Sequence, residues 1–205
     1  MKALILTDLQ NDFCPGGALA VPHGDAVVPL ANRLQPCFDL VVATQDWHPA
    51  DHGSFAANHP GSEPGETIDL DGLEQILWPV HCVQSTAGAE FHPDLDTSKV
   101  DRVFRKGTDP RIDSYSCFFD NGHRKATGLG DYLKQKGVTD VYLCGLALDY
   151  CVKFSALDAA ALGFTTWVIE DACRGIDKQP GDVARALEQM QSQGIRIVRS
   201  DEIMR

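Results

Sequence analysis

The sequence of 205 residues lacks any run that approaches the roughly 20 consecutive apolar residues of a membrane-spanning helix. It is also poor in basic residues, with 18 Lys and Arg against 29 Asp and Glu, so its formal net charge is -11. Such a charge repels nucleic-acid backbones and anionic lipid surfaces. We therefore expect neither a nucleic acid nor a membrane as a partner, and we expect a small-molecule ligand instead.

The seven cysteines are odd in number, widely scattered and contain no Cys-x-x-Cys pair. This pattern suits neither a disulfide framework nor a zinc ribbon. Residues 1–8 lack the long apolar core and small-residue cleavage site of a signal peptide. We therefore expect reduced thiols in a cytoplasmic protein, and the length fits a single domain, 1–205.

Short apolar runs rich in branched residues alternate with helix-like stretches. The predicted strands are 3–6, 40–43, 141–146, 165–169 and 195–198, and the predicted helices are 25–38, 129–136, 151–162 and 181–193. Gly137, Gly163 and Gly194 stand where three of these helices end. The alternation predicts a doubly wound α/β fold, in which a mainly parallel sheet carries helices on both faces and ligands bind at the carboxyl ends of the strands.

The segment from about 46 to 104 does not follow this alternation. It is dense in Gly, Pro, His and Asp and shows little periodicity. Because loops of this length are uncommon in compact domains and are usually functional, we expect it to form a long loop region that carries part of a site.

Cys151 lies where the strand 141–146 gives way to the helix 151–162. A thiol at a helix N-terminus faces unpaired backbone N–H groups and the positive end of the helix dipole, which favour the thiolate. The position therefore predicts a nucleophile. The alternative is a small buried hydrophobic residue that happens to begin a helix.

Asp46 and His48 are separated by one residue, so on an extended segment both side chains point to the same side and reach one ion. A third ligand from the long loop would leave positions open for water or substrate, as in a catalytic metal site. His81 is one candidate, and the other histidines of the region are His52, His59 and His92. The alternative is that Asp46 caps a turn and the histidines are surface groups.

Asp8 follows the first predicted strand, where burial would raise the pKa of its carboxyl and make it a proton acceptor for a thiol. Lys106 comes at the end of Val103-Phe104-Arg105, and its ammonium would hold Asp8 ionised and favour a thiolate. Alternatively, Asp8 caps the next turn and Lys106 is a solvated surface charge.

Six stretches together resemble a known family. They are 8–14 (Asp-Leu-Gln-Asn-Asp-Phe-Cys), 45–49 (Gln-Asp-Trp-His-Pro), 78–82 (Trp-Pro-Val-His-Cys), 105–107 (Arg-Lys-Gly), 113–118 (Asp-Ser-Tyr-Ser-Cys-Phe) and 145–151 (Gly-Leu-Ala-Leu-Asp-Tyr-Cys). In this order, and over nearly the whole chain, they resemble the nicotinamidases of the isochorismatase-like cysteine hydrolase superfamily.

The resemblance implies a catalytic triad of Asp8, Lys106 and Cys151. It implies a divalent metal held by Asp46, His48 and His81, with His52 beside these ligands rather than among them. Zinc is the first expectation, and iron and manganese are also compatible with such ligands.

The family also implies a substrate slot near Phe13, Trp78 and Ala147. Backbone N–H groups of Ala147 and Cys151 would form an oxyanion hole, with a cis peptide bond before Ala147. The implied reaction is hydrolysis of nicotinamide to nicotinate and ammonia through a cysteine thioester, in NAD salvage, with pyrazinamide as a second substrate. Both a monomer and a homo-oligomer remain open.

Three other functions compete with this one. A related cysteine amidohydrolase for carbamoyl or ureido substrates would keep the triad without needing a metal, which the Asp46, His48 and His81 set argues against. A non-catalytic scaffold with a structural zinc would not need an intact triad. Isochorismatase itself lacks the nucleophilic thiol. Leu148 departs from the family, because many relatives carry a small polar residue there.

Overall fold

The computed structural model of the chain describes residues 1–204. The strands are β1 (Lys2–Thr7), β2 (Leu40–Asp46), β3 (Thr67–Leu70), β4 (Leu73–Ile76), β5 (Arg102–Lys106), β6 (Asp140–Leu146), β7 (Thr165–Arg174) and β8 (Arg196–Val198). The helices are α1 (Val28–Leu34), α2 (Leu129–Gln135), α3 (Lys153–Ala161), α4 (Asp182–Ser192) and α5 (Ser200–Ile203), and a π-helical turn, Leu148–Val152, leads directly into α3.

Six strands form one sheet in the order β5-β2-β1-β6-β7-β8, and every neighbouring pair is parallel. All seven residues of β2 are buried, as expected for a central strand covered on both faces. Right-handed crossovers place α1, which joins β1 to β2, on one face of the sheet and α3, which joins β6 to β7, on the other. The predicted doubly wound α/β fold is confirmed.

The chain leaves β1 towards one edge of the sheet and leaves β6 towards the other, so the strand order reverses between these neighbours. A crevice forms at such a reversal, outside the carboxyl ends of the strands. Asp8 directly follows β1, and the turn that contains Cys151 follows β6 by one residue. The topology therefore brings these two side chains to one crevice.

Several predicted boundaries are wrong, for local reasons. The predicted helix 25–38 is α-helical only over α1, with 3₁₀ turns at Gly24–Val27 and Gln35–Cys37. Pro36 has no N–H to donate and its ring blocks the preceding turn, so α1 ends before it. The helix predicted to begin at Cys151 begins with the π-helical turn instead. Glycines 137, 163 and 194 do adopt left-handed backbone after α2, α3 and α4.

The region 46–104 is not loop throughout. It contains the antiparallel hairpin β3–β4 and two short 3₁₀ turns, and β5 begins inside it, at Arg102. Arg124 holds the hairpin turn by donating to the side chain of Asp71 at 2.7 Å and to its carbonyl at 2.8 Å. Within residues 1–204, no helix is both long and apolar enough to cross a membrane.

Gly145 of β6 lies opposite Thr7 of β1, where there is no room for a side chain. Its φ is +123°, and a Cβ there would lie 2.1 Å from the carbonyl oxygen of Thr7. We expect Gly145→Ala to lower the free energy of unfolding by at least about 3 kcal/mol, because the clash is with backbone and no rotamer change relieves it. Urea denaturation followed by circular dichroism measures the change.

Gly137→Ala is the matched control. Gly137 also has a left-handed φ, of +76°, but no atom lies within 4 Å of the added Cβ. The free energy of unfolding should fall by only about 1–2 kcal/mol in Gly137→Ala, which is the cost of placing a non-glycine residue in left-handed backbone. Equal losses in the two variants would contradict the steric explanation.

Candidate functional site

Lys106 is the centre of the site. The register of β2 and β5 sets it beside Asp46, and its Nζ lies 2.5 Å from Oδ1 of that residue. The same Nζ lies 3.0 Å from Oδ2 of Asp8, 2.9 Å from the carbonyl oxygen of Ser114 and 3.4 Å from Sγ of Cys151. Four parallel strands, β5, β2, β1 and β6, thus deliver one cation, two carboxyl groups and one thiol to a single point.

The ammonium group of Lys106 stays charged although it is buried. Burial alone would lower its pKa, but Asp46, Asp8 and Cys151 together raise that pKa well above its ordinary value. The cation therefore serves as a fixed positive charge for its neighbours.

Asp8 is fully buried, and its Oδ1 accepts a hydrogen bond of 2.6 Å from the hydroxyl of Thr44. Burial raises the pKa of Asp8, and the opposing effect of Lys106 does not cancel that rise. A carboxyl group with a raised pKa is a better proton acceptor, because its conjugate acid is weaker. The side chain is therefore suited to take up a proton and return it.

Cys151 is buried in the π-helical turn. Burial raises the pKa of its thiol well above the ordinary value, Lys106 opposes the rise, and Asp8 and Asp46 add to it. The position at the start of a helix predicts a lowered pKa, and this prediction is wrong because desolvation outweighs the helix dipole and the cation. Cys151 rests as a thiol, so its attack on a substrate needs a base within reach. Its Sγ and the carboxylate oxygens of Asp8 and Asp46 lie within 4.8 Å of one another.

A second group of side chains shares Asp46 with the first. One ligand atom from each of Asp46, His48 and His81 lies within 4.8 Å of the other two. Oδ2 of Asp46 is 3.7 Å from Nε2 of His48 and 4.0 Å from Nε2 of His81. The distances leave room for an ion between a carboxylate oxygen and two imidazole nitrogens.

Both imidazoles are oriented through their other ring nitrogen. Nδ1 of His48 lies 2.9 Å from the carbonyl oxygen of Gly107, and Nδ1 of His81 lies 2.8 Å from that of Pro79. Each Nδ1 therefore donates to a carbonyl oxygen and leaves Nε2 as the ring atom that can bind an ion, the arrangement found in metal-binding histidines. Burial, with the charge of nearby His48, lowers the pKa of His81 to about 4, so it is neutral at pH 7.

Nε2 of His48 is buried and has no hydrogen-bond partner within residues 1–204. A buried polar atom without a partner costs free energy unless a ligand satisfies it. One carboxylate and two imidazole nitrogens are the donors that a divalent transition metal prefers. The residues present therefore fit a divalent metal ion.

The remaining histidines of the region differ in their surroundings. The ring of His52 lies 4.4 Å from the ring of His48, and its Nδ1 lies 2.7 Å from the hydroxyl of Ser54. His52 also forms a second possible ligand group with His48 and Asp113. His59 and His92 belong to neither of these groups in the described part of the chain.

A pocket opens between the thiol and the histidines. Phe13, Trp78 and Ala147, the residues that the sequence assigns to the substrate slot, all line it. The other lining residues are Leu19, Asp46, His48, His81, Asp113, Tyr115, Tyr150, Cys151 and Ile176. The sequence analysis assigned no role to Tyr115 or Tyr150, although both stand inside quoted motifs, and no motif marks Ile176.

The peptide bond between Leu146 and Ala147 is cis. Among residues 1–204, the backbone N–H of Ala147 donates no hydrogen bond. The segment that lines the pocket beside Cys151 thus has a donor available for a bound oxygen atom.

The chain matches the isochorismatase domain family over residues 2–202. It is 53% identical over 197 residues to a nicotinamidase of Escherichia coli, an alignment that covers 94% of this chain and 92% of the relative. Its fold superposes with a TM-score of 0.96 on a nicotinamidase and pyrazinamidase of Acinetobacter baumanii, at 51% identity with 98% and 97% of the two chains covered. A zinc complex of a Pyrococcus horikoshii pyrazinamidase superposes with a TM-score of 0.79, at 42% identity with 97% and 98% covered.

The charges around Cys151 predict opposite shifts in its reactivity. Replacing Lys106 by Met removes the cation that lowers the pKa of the thiol, so alkylation by iodoacetamide should require a higher pH. Replacing Asp8 by Asn removes an anion that raises the pKa of the thiol, so alkylation should begin at a lower pH. Mass spectrometry of the peptide that contains Cys151, over a series of pH values, measures both shifts.

Lys134→Met is the control, because Lys134 is an exposed lysine on α2 and should leave the alkylation profile unchanged. Shifts of the same sign in Lys106→Met and Asp8→Asn would show that the two charges do not act on the thiol as described.

Proposed function

The chain belongs to the isochorismatase family, and from this membership we propose that its pocket hydrolyses nicotinamide to nicotinate and ammonia, as a step of NAD salvage. The observation that carries the proposal is the contact of Lys106 with both Asp8 and Cys151, beside a pocket that Cys151 lines together with Asp46, His48 and His81. The same pocket accepts pyrazinamide, because that ring carries a nitrogen in the corresponding place.

Asp8 takes the proton of the Cys151 thiol as the sulfur attacks the carboxamide carbon. Asp8 accepts this proton as a carboxylate, and its raised pKa makes it a stronger base than an ordinary aspartate, so the thiol, whose own pKa is also raised, need not ionise beforehand. Negative charge develops on the carboxamide oxygen, and the N–H groups of Ala147 and Cys151 are its donors. Lys106 stabilises the carboxylate and the thiolate in turn, because its Nζ contacts both side chains.

Collapse of the tetrahedral adduct breaks the carbon–nitrogen bond. Protonated Asp8 returns its proton to the departing ammonia and leaves an acyl thioester on Cys151. Asp8 then accepts a proton from the water molecule that attacks the thioester and passes it to the departing sulfur, which restores the thiol and the Asp8 carboxylate and releases the acid product as nicotinate.

Asp46, His48 and His81 hold a divalent metal, for which zinc is the proposed ion because the related Pyrococcus pyrazinamidase is a zinc complex. Iron and manganese also accept this donor set. When bound, the metal supplies a Lewis acid that takes up the lone pair of a pyridine nitrogen. Phe13 and Trp78 line the same pocket and pack against the faces of the flat ring.

The metal set also separates this function from its competitors. An amidohydrolase for carbamoyl or ureido substrates has no ring nitrogen to place, and a scaffold has no use for the buried Asp8, Lys106 and Cys151 contacts.

All seven cysteines are free, which agrees with a reducing compartment and hence with the cytoplasm. The continuous sheet and core of 1–204 agree with one domain.

Cys151→Ala should lower the rate of ammonia release from nicotinamide by at least about 10³-fold, because the nucleophile is lost. A coupled assay for ammonia measures the rate, with pyrazinamide as a second substrate. Cys173→Ala is the control, since it removes an equally buried thiol from β7, outside the pocket. Ammonia release at the normal rate by the Cys151→Ala protein would refute the assignment of the nucleophile.

Asp46→Ala and His81→Ala should each lose both bound metal and activity, because each removes one of three ligands. Elemental analysis of the purified variants gives the metal content independently of activity. His92→Ala, which changes a histidine of the same region outside the ligand groups, should keep its metal. Stoichiometric metal in His81→Ala would remove that residue from the ligand set.

A further inference from the structure

Asp149 is a buried carboxylate that the proposed reaction does not use. It lies two residues before Cys151, in the same π-helical turn. Each of its oxygens accepts one backbone amide from a distant loop: Oδ1 accepts from Ile176 at 2.9 Å, and Oδ2 accepts from Asp177 at 2.8 Å. Hydrogen bonds from amides to a charged acceptor are stronger than neutral ones, so the carboxylate is a firm link between the two segments.

The loop that Asp149 holds follows β7 and has little freedom. A Cβ at Gly175 would lie 2.2 Å from Cγ2 of Val183 and 3.0 Å from Oδ1 of Asp149, so the backbone passes tightly between α4 and the carboxylate. On the other side, Oδ1 of Asp177 accepts the backbone amide of Val183 at 3.2 Å. The position of the loop is therefore set by the carboxylate and by the first turn of α4.

Ile176 lies between these fixed points and lines the pocket together with Cys151. Ile176 is also packed against the hydrophobic core. A branched apolar side chain that lines a pocket for a flat ring contributes to substrate binding through van der Waals contact. The strength of that contact depends on the distance between the side chain and the ring.

We propose that Asp149 is a positioning residue, which fixes the side chain of Ile176 relative to Cys151 and thereby sets how tightly the pocket holds the substrate ring. This inference rests on the proposed amide hydrolysis. It assigns Asp149 to substrate binding rather than to the bond-breaking step, because the carboxylate acts on the pocket wall through backbone amides and contacts none of Asp8, Lys106 and Cys151 by hydrogen bond.

The test is the Asp149→Asn protein. Its amide oxygen can accept one backbone N–H, while its NH₂ group faces the other donor and leaves it unpaired. We expect KM for nicotinamide to rise about tenfold, as expected for the loss of one such hydrogen bond, with kcat within about twofold of the wild type. The alkylation rate of Cys151 and the metal content should not change.

A double-mutant cycle with Ile176→Ala tests the route of the effect. Ile176→Ala alone should raise KM, and adding Asp149→Asn to it should change KM by less than about twofold, because the side chain that Asp149 positions is gone. Additive effects of the two substitutions on KM would overturn the proposal. So would a fall in kcat or in Cys151 alkylation with KM unchanged, since Asp149 would then act on the nucleophile turn.

Two further variants keep the test informative. Gly175→Ala places a Cβ 2.2 Å from Cγ2 of Val183 and 3.0 Å from Oδ1 of Asp149, so it displaces the loop without altering any charge. It should raise KM as Asp149→Asn does, even where the latter folds poorly. Asp182→Asn changes a carboxylate that accepts a backbone amide of the same loop, from Gln179 at 2.8 Å, but does not bond to Ile176, and it should leave KM unchanged. If the wild-type protein released no ammonia from nicotinamide, the proposed function itself would be refuted. The ratios of KM between the variants and the wild type test the role of Asp149.

Discussion

The arrangement of the whole site depends on one buried ammonium group. Without Lys106, the carboxylates of Asp8 and Asp46 would face each other in a region from which water is excluded, and an uncompensated buried charge is costly. With it, both carboxylates and the thiol are drawn to one nitrogen atom. The edge strand β5 has few buried side chains, and its last residue supplies this cation. β5 is therefore more important for the site than for the hydrophobic core.

The same cation connects two chemical tasks that the pocket must perform together. Asp46 faces Lys106 through Oδ1 and the histidines through Oδ2, so its two oxygens belong to different groups. Lys106 holds the pKa of Asp46 well below its usual range despite burial, with help from His48, which keeps the carboxylate available as a ligand. Asp8, farther from the histidines, keeps a raised pKa. The ammonium lowers the pKa of both carboxyl groups, but burial outweighs it at Asp8 and not at Asp46. The two neighbouring groups therefore differ, one as a permanent anion and one as a base.

Much of this could be predicted from the sequence, because Asp8, Asp46 and Cys151 each stand at or just after an apolar run that becomes a parallel strand. The strand β5 was missed as an element because only Phe104 and Lys106 of its five residues are buried, which is too few for an apolar run. The contact of Asp149 with the loop after β7 joins residues 27 positions apart. Its donors are backbone amides, which every residue except proline carries, so no residue type in the sequence indicates the contact. The pKa of Cys151 was misjudged because desolvation depends on tertiary packing.

Gly107 shows why the two groups of side chains must be built together. Its carbonyl oxygen orients His48, and a Cβ on it would lie 2.3 Å from Cε1 of that imidazole. Its φ of +63° is also one that favours glycine. Lys106, one residue earlier, contacts Asp8 and Cys151. Adjacent residues at the end of one strand thus contact Asp8 and His48, the proposed proton acceptor and one proposed metal ligand, so a shift of β5 along β2 would alter both contacts at once.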